Sequence, residues 1–164
     1  MANDIHKHAK QMPTWVDALR ITIPGIPIAK GRHRCGCKNN RVVTYSDAKT
    51  ATDERSVAWH TVAKTRGKQI APKGVPVRVD VLAYYPKPKR LQHIKGNLPK
   101  CNKQYGDADN HLKAVLDGLT LAGIWFDDGQ ASCLRIEPLY SDERPRSEVS
   151  VFLPNTMIET TDTK

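Results

Sequence analysis

Between residues 75 and 83 the apolar side chains fall on every second position: Val75, Val77, Val79, Val81 and Ala83, with Arg78 and Asp80 between them. A repeat of two belongs to a pleated strand with one face buried, and helical geometry cannot satisfy it. The chain must therefore build a sheet, and this strand stops at Tyr85-Pro86, where proline removes a ladder donor. Other elements have to cover the apolar face that the alternation creates.

Three further segments share the strand pattern. Leu19, Ile21 and Ile23 alternate with Arg20 and Thr22 up to Pro24, and Ser132, Leu134, Ile136 and Leu139 follow an acidic turn. Val149, Val151 and Leu153 then form a last strand closed by Pro154. Arg41 to Tyr45 predicts a short returning strand, with residues 35 to 40 as a Lys/Asn-rich hairpin tip. Two segments change period to the helical one. The first, capped by Ser46 or Asp47, runs to about Arg66 with Val57, Ala58, Thr61 and Val62 as its apolar stripe. The second starts near Asp107 and Asp109, carries Leu112, Val115, Leu116 and Leu119 on one face, and ends at Gly123. The order β, β, α, β, loop, α, β, β predicts an α+β two-layer sandwich with helices on one face of the sheet. Residues 17–156 form one domain in this reading, after an extension at 1–16 and before a flexible tail at 157–164.

Charge narrows the partners. The 164 residues carry 26 basic and 17 acidic side chains, a formal net charge of +9, which favours a polyanion over a neutral ligand. Nucleic acid ranks ahead of membrane, since no segment is apolar enough to span a bilayer. Residues 1–16 lack the apolar stretch of a signal peptide, so a cytoplasmic location is expected. In that compartment Cys35, Cys37, Cys101 and Cys133 read as free thiols and not as a disulfide set. Cys35-Gly36-Cys37 also lacks the two-residue spacer usual for zinc.

Most of the chemistry is concentrated in Gly106–Gln130. Asp107 and Asp109 precede the second helix, Lys113 lies four residues after Asp109 on the same side, and Asp127 and Asp128 follow the helix. Each pair alone reads as capping or turn chemistry. Two acidic pairs close together repel unless a cation sits between them, and hard divalent ions such as Mg²⁺ take carboxylate oxygens. The expectation is that four carboxylates and Lys113 converge across this one helix.

Basic loops flank the stretch. The first holds Lys30, Arg32, His33 and Arg34 and reads as a phosphate cradle or a solvated turn. The second, from Pro86 to Tyr105, holds Lys87, Lys89, Arg90, Lys95, Lys100 and Lys103 and reads as a mobile arm. His60, on the first helix, reads as a packed or surface histidine.

The runs D-A-D-N-x-x-K-A-V-L-D-x-L and G-I-W-F-D-D-x-Q, nearly continuous from Asp107 to Gln130, resemble the signature of the RusA-type Holliday junction resolvases. The element P-I-A-K-G-R-H-R is similar to the family's P-x-x-K-G-R-x-R. Ala108 departs from the pattern, standing where a bulkier aliphatic residue is more usual. The resemblance implies a RusA-like fold with a mixed sheet, and a homodimer that resolves four-way DNA junctions by paired symmetric nicks. It implies Mg²⁺ held by Asp107, Asp109 and Asp128, with Asp127 ranked lower and Lys113 as a catalytic lysine; Mn²⁺ can substitute in an oxygen-rich pocket. DNA contact then falls to Lys30, Arg32, Arg34, Lys87, Lys89, Arg90 and Lys103, and the setting to a bacterial or phage-infected cell. Two rivals stand beside it: a non-catalytic, basic junction-binding dimer, and a less specific flap or branched-DNA nuclease.

Overall fold

The computed structural model describes residues 13–31, 34–38, 41–45, 48–101 and 105–155. Arg32, Lys103 and the proposed caps Ser46 and Asp47 lie outside the described residues, and Arg34, Cys35 and Cys37 are described by backbone alone.

Five strands make a mixed sheet. In chain order the elements are β1 (Trp15–Pro24), a hairpin of β2 (Arg34–Lys38) and β3 (Arg41–Tyr45), α1 (Ala48–Thr65), β4 (Val77–Pro86), β5 (Leu98–Pro99), α2 (Ala108–Leu121), β6 (Ala131–Ser141) and β7 (Arg146–Pro154). The sheet order is β1-β7-β4-β6-β5, and β2 and β3 form a separate two-stranded sheet. β4 and β6 run parallel, Val77 pairing with Ala131 and Pro86 with Ser141, while the other described pairs are antiparallel. Parallel neighbours need a long crossover, and here it contains β5 and α2. The alternation in β4 has the expected result: Val77, Val79, Val81 and Ala83 are all fully buried.

The helices cover one face only. Leu19, Ile21 and Ile23 of β1, the β4 valines, and Val149 and Val151 of β7 meet Val57 of α1 with Val115 and Leu119 of α2. Each such side chain contributes roughly 1.5–3 kcal/mol on burial. The helices themselves approach closely at Gly118, where a Cβ would lie 2.6 Å from Val57 Cβ and 2.8 Å from the Glu54 carbonyl oxygen. The opposite sheet face is polar and ion-paired, with Arg78 bonded to Asp80 at 2.6 Å and Arg146 to Glu148 at 2.7 Å. The α+β two-layer arrangement is thus the one the periodicities predict.

Three assignments differ. Residues 35–38, read as part of a hairpin tip, lie in β2 and pair with β3. β1 begins at Trp15, inside the stretch assigned to an extension, because Trp15 and Val16 pair with Pro154 and Leu153. The segment after β4 is not a loose arm. Leu98 and Pro99 pair with Tyr140 and Leu139, Lys100 N donates to Pro138 O at 2.9 Å, and Leu91, Leu98 and Tyr105 pack on buried Tyr85 and Tyr140. Its apolar residues anchor it despite its charge.

Candidate active site at the two ends of one helix

Asp107 is the N-cap residue of α2, yet its side chain makes no cap hydrogen bond. Asp107, Asp109 and Lys113 are all exposed, so neither carboxylate is spent on the helix terminus. The approach to Asp107 is tightly held. Tyr105 has φ +70° and Gly106 φ +87°, and the Tyr105 ring stacks on Tyr85 at 5.4 Å. A Cβ on Gly106 would collide with Ala29 Cβ, so this glycine lets the Pro24–Gly31 segment press against the start of the helix.

His111, which sequence reasoning passed over, anchors the same contact. It is buried, its Nδ1–H donates to Ile28 O at 3.1 Å, and Nε2 accepts from the Ser147 hydroxyl at 3.2 Å. Burial pushes its pKa below the ordinary histidine value, against the opposing hydrogen bond to Ile28. Lys30 N also donates to Asn110 O at 3.0 Å. Lys100, beside the same site, donates to Gly106 O at 3.0 Å; burial lowers its pKa while the Asp107 charge opposes the change.

At the other end of α2 the motif is built for rigidity. Ile124 and Trp125 are core residues, and Trp125 Nε1 donates to Thr120 Oγ1 at 2.8 Å. Asp127 is committed to a local cap: it accepts from Gly129 N at 2.7 Å within a capping box with Gln130. Gln130 ties the turn down, donating to Pro72 O and Val75 O at 2.8 Å each and accepting from Phe126 N at 3.0 Å and Asp127 N at 3.2 Å. Asp128 remains exposed.

The expected convergence of four carboxylates within one chain does not occur. Among the described residues, no three Asp, Glu, His or Cys side chains are grouped to hold a metal ion. The reason is length: α2 has 14 residues, about 21 Å at 1.5 Å per residue. Tyr105 packs on Tyr85 near the end of β4, whereas Gln130 bonds to Val75 just before β4 begins. Asp107 and Asp109 thus lie at one rim of the sheet, Asp127 and Asp128 at the opposite rim.

Two of the expected DNA-contacting lysines are turned inward. Lys30 is paired with Asp117, and its Nζ lies 3.1 Å from Glu54 Oε1. Burial pulls the Lys30 pKa down, but its bonds to Asp117 and Glu54 outweigh that and leave it above the usual lysine value. Lys87, with a side chain only 3% exposed, bonds Asp142 Oδ1 and Ile94 O at 2.6 Å each. Both ammonium groups already have oxygen partners within the chain. Lys89 and Arg90 are exposed on a single 3₁₀ turn. Cys101 and Cys133 are free thiols.

A basic α+β chain presenting uncommitted aspartates and a lysine at the start of a helix has the residue types that metal-assisted phosphodiester chemistry uses. The family described as Endodeoxyribonuclease RusA matches residues 24–152. The chain is also 33% identical over 142 residues to an uncharacterized protein, YqaN, of Bacillus subtilis strain 168, covering 83% of this chain and 96% of that protein. The chain belongs to the RusA endodeoxyribonuclease family, whose nucleases act on branched DNA junctions. No helix among the described residues is long and apolar enough to cross a membrane.

Proposed function

We propose that this protein is a divalent-cation-dependent endonuclease that resolves four-way DNA junctions as a homodimer, cutting two strands symmetrically. The observation that carries this reading is Asp107, a helix-capping position whose carboxylate leaves the cap unmade. Asp109 and Lys113 are exposed on the same first turns. Such hard oxygen donors fit Mg²⁺, which is commonly held by one or two carboxylates together with substrate phosphate; Mn²⁺ fits the same set. When bound, the ion supplies Lewis acidity toward the phosphoryl group and a water of lowered pKa.

Asp107 and Asp109 hold the ion in this reading, and Asp128 of the partner subunit completes the set. A two-fold axis placing α2 antiparallel to its copy brings the two kinds of helix end together twice. Two sites per dimer also match the two strands that resolution requires. Lys113 positions the scissile phosphate and offsets its growing charge as water attacks and the bond to the leaving oxygen breaks. The exposed Lys89 and Arg90 extend the basic surface. The setting in this reading is a bacterial cytoplasm, the gene being of phage or prophage origin.

The test is incubation with a mobile four-way junction, a linear duplex and a flap, with Mg²⁺, Mn²⁺ or EDTA. Paired nicks on the junction alone, dependent on metal, are the expected outcome. Cutting of all three substrates would make the protein a general nuclease, and binding without cutting would make it a junction-recognition dimer.

A further inference from the structure

Among the described residues a cavity of about 860 Å³ opens beside Asp107. Ile26, Pro27 and Ile28 give it an apolar wall, Tyr105 closes one side, and Asp107 stands at its edge. From α1, Asp53 faces the same space. The Asp53 Oδ2 atom is buried and has no hydrogen-bond partner among the described residues. Desolvation, followed by the charge of Glu54, raises the Asp53 pKa to about 6. A buried acceptor without a donor is costly and uncommon in folded proteins, and an apolar cavity with one such group is the usual form of a small-ligand site.

The walls are preformed. Gly106 against Ala29, His111 to Ile28, Lys30 N to Asn110 O, and Gly31 N to Thr50 Oγ1 at 3.0 Å all fix the segment that lines the cavity. Phosphate is a poor occupant, since Asp53 and Asp107 would repel it. A flat aromatic group with an amino donor satisfies both the apolar wall and the carboxylate.

We infer that the cavity receives a nucleobase unstacked from the strand being cut, and that Asp53 accepts a hydrogen bond from the base's exocyclic amino group. The inference rests on the nuclease reading above and supplies it with a source of sequence preference. Unstacking a base costs a few kcal/mol and least where pairing is already disturbed, as at a branch point. A carboxylate only accepts when ionised, so adenine, cytosine and guanine fit and thymine, lacking an amino group, is disfavoured.

The experiment uses the full-length protein and junctions carrying 2-aminopurine at each position flanking the branch in turn, first in EDTA and then in Mg²⁺. Wild type should raise the fluorescence at least twofold at one position. Ser56→Trp, which fills the cavity from α1, should abolish the rise while changing junction affinity less than threefold. Asp53→Asn, a neutral isostere, should keep the rise. It should reduce the cutting preference for amino-bearing bases over thymine from about tenfold to under threefold, the range expected for one specific base contact. A protein that cuts junctions but shows no rise at any position overturns the inference and leaves the nuclease reading intact. No cutting of any branched substrate in Mg²⁺ or Mn²⁺ overturns both. If Ser56→Trp instead weakens dimerisation and leaves the fluorescence unchanged, the cavity belongs to the subunit interface, with the exposed Phe126 as its occupant, and the inference fails.

Discussion

Gly106 runs against Ala29 with no space for a side chain between them, and it does so at φ +87°. Both facts oppose any larger residue. Gly106→Ala should lower stability by about 2–4 kcal/mol, combining left-handed strain with overpacking. Urea unfolding checks it: the midpoint should fall with an unchanged slope.

Lys30 holds together two partly buried carboxylates, Asp117 and Glu54. Lys30→Ala should cost about 2–4 kcal/mol, because both acids then lose their cation. The salt dependence of junction binding should stay unchanged. Lys89→Ala or Arg90→Ala should instead leave stability nearly unaltered and lower the salt slope by about 1 for each lost phosphate contact. A reduced slope for Lys30→Ala would return that lysine to the DNA face.

The pH dependence at Asp53 runs opposite to that of most carboxylates. Its folded pKa of about 6 lies above the unfolded value, which is about 3.9. The folded state therefore binds the extra proton, and this group's contribution is fully favourable below about pH 4 and lost as pH rises through 6. Asp53→Asn should stabilise the protein by about 1–3 kcal/mol at pH 7 and by much less at pH 4. Chemical denaturation of both proteins at the two values isolates the effect.

Gln130 makes four hydrogen bonds that fix the Asp127-Asp128 turn. Gln130→Ala removes the side-chain partner of Val75 O and of the Phe126 and Asp127 N–H groups, while Pro72 O keeps its bond from Val75 N, and should cost about 2–4 kcal/mol. Amide exchange at Phe126 and Asp127 should quicken far more than in β4.

Asp107→Asn and Asp128→Asn should each abolish junction cutting and preserve binding. Mixing the two inactive variants should restore nicking, because one of the two sites in a mixed dimer then holds both native aspartates. Continued inactivity of the mixture, with subunit exchange verified, would place Asp107 and Asp128 in separate roles.

Regular periodicity made much of the fold legible. The valine alternation of β4 and the apolar spacing of α2 each satisfy only one geometry, and their faces are buried as expected. The site was less legible. Sequence spacing places Asp107 and Asp128 on either side of one helix, but only the β4–β6 pairing shows that this helix runs from rim to rim. Charge was misleading for a related reason. Lys30 reads as a free cation until Asp117, 87 residues away, is folded onto it. Asp53 gave no signal at all, being a polar residue on a helix whose apolar stripe lies elsewhere.

The crossover that carries α2 across the sheet has a consequence for dosage. In the proposed dimer, where Asp107 of one subunit works with Asp128 of the other, a solitary polypeptide would hold only half of a cleaving centre. Cutting should then rise with the square of abundance when molecules are scarce. Trace expression would leave the chromosome untouched, and activity would begin abruptly once copies were numerous enough to meet.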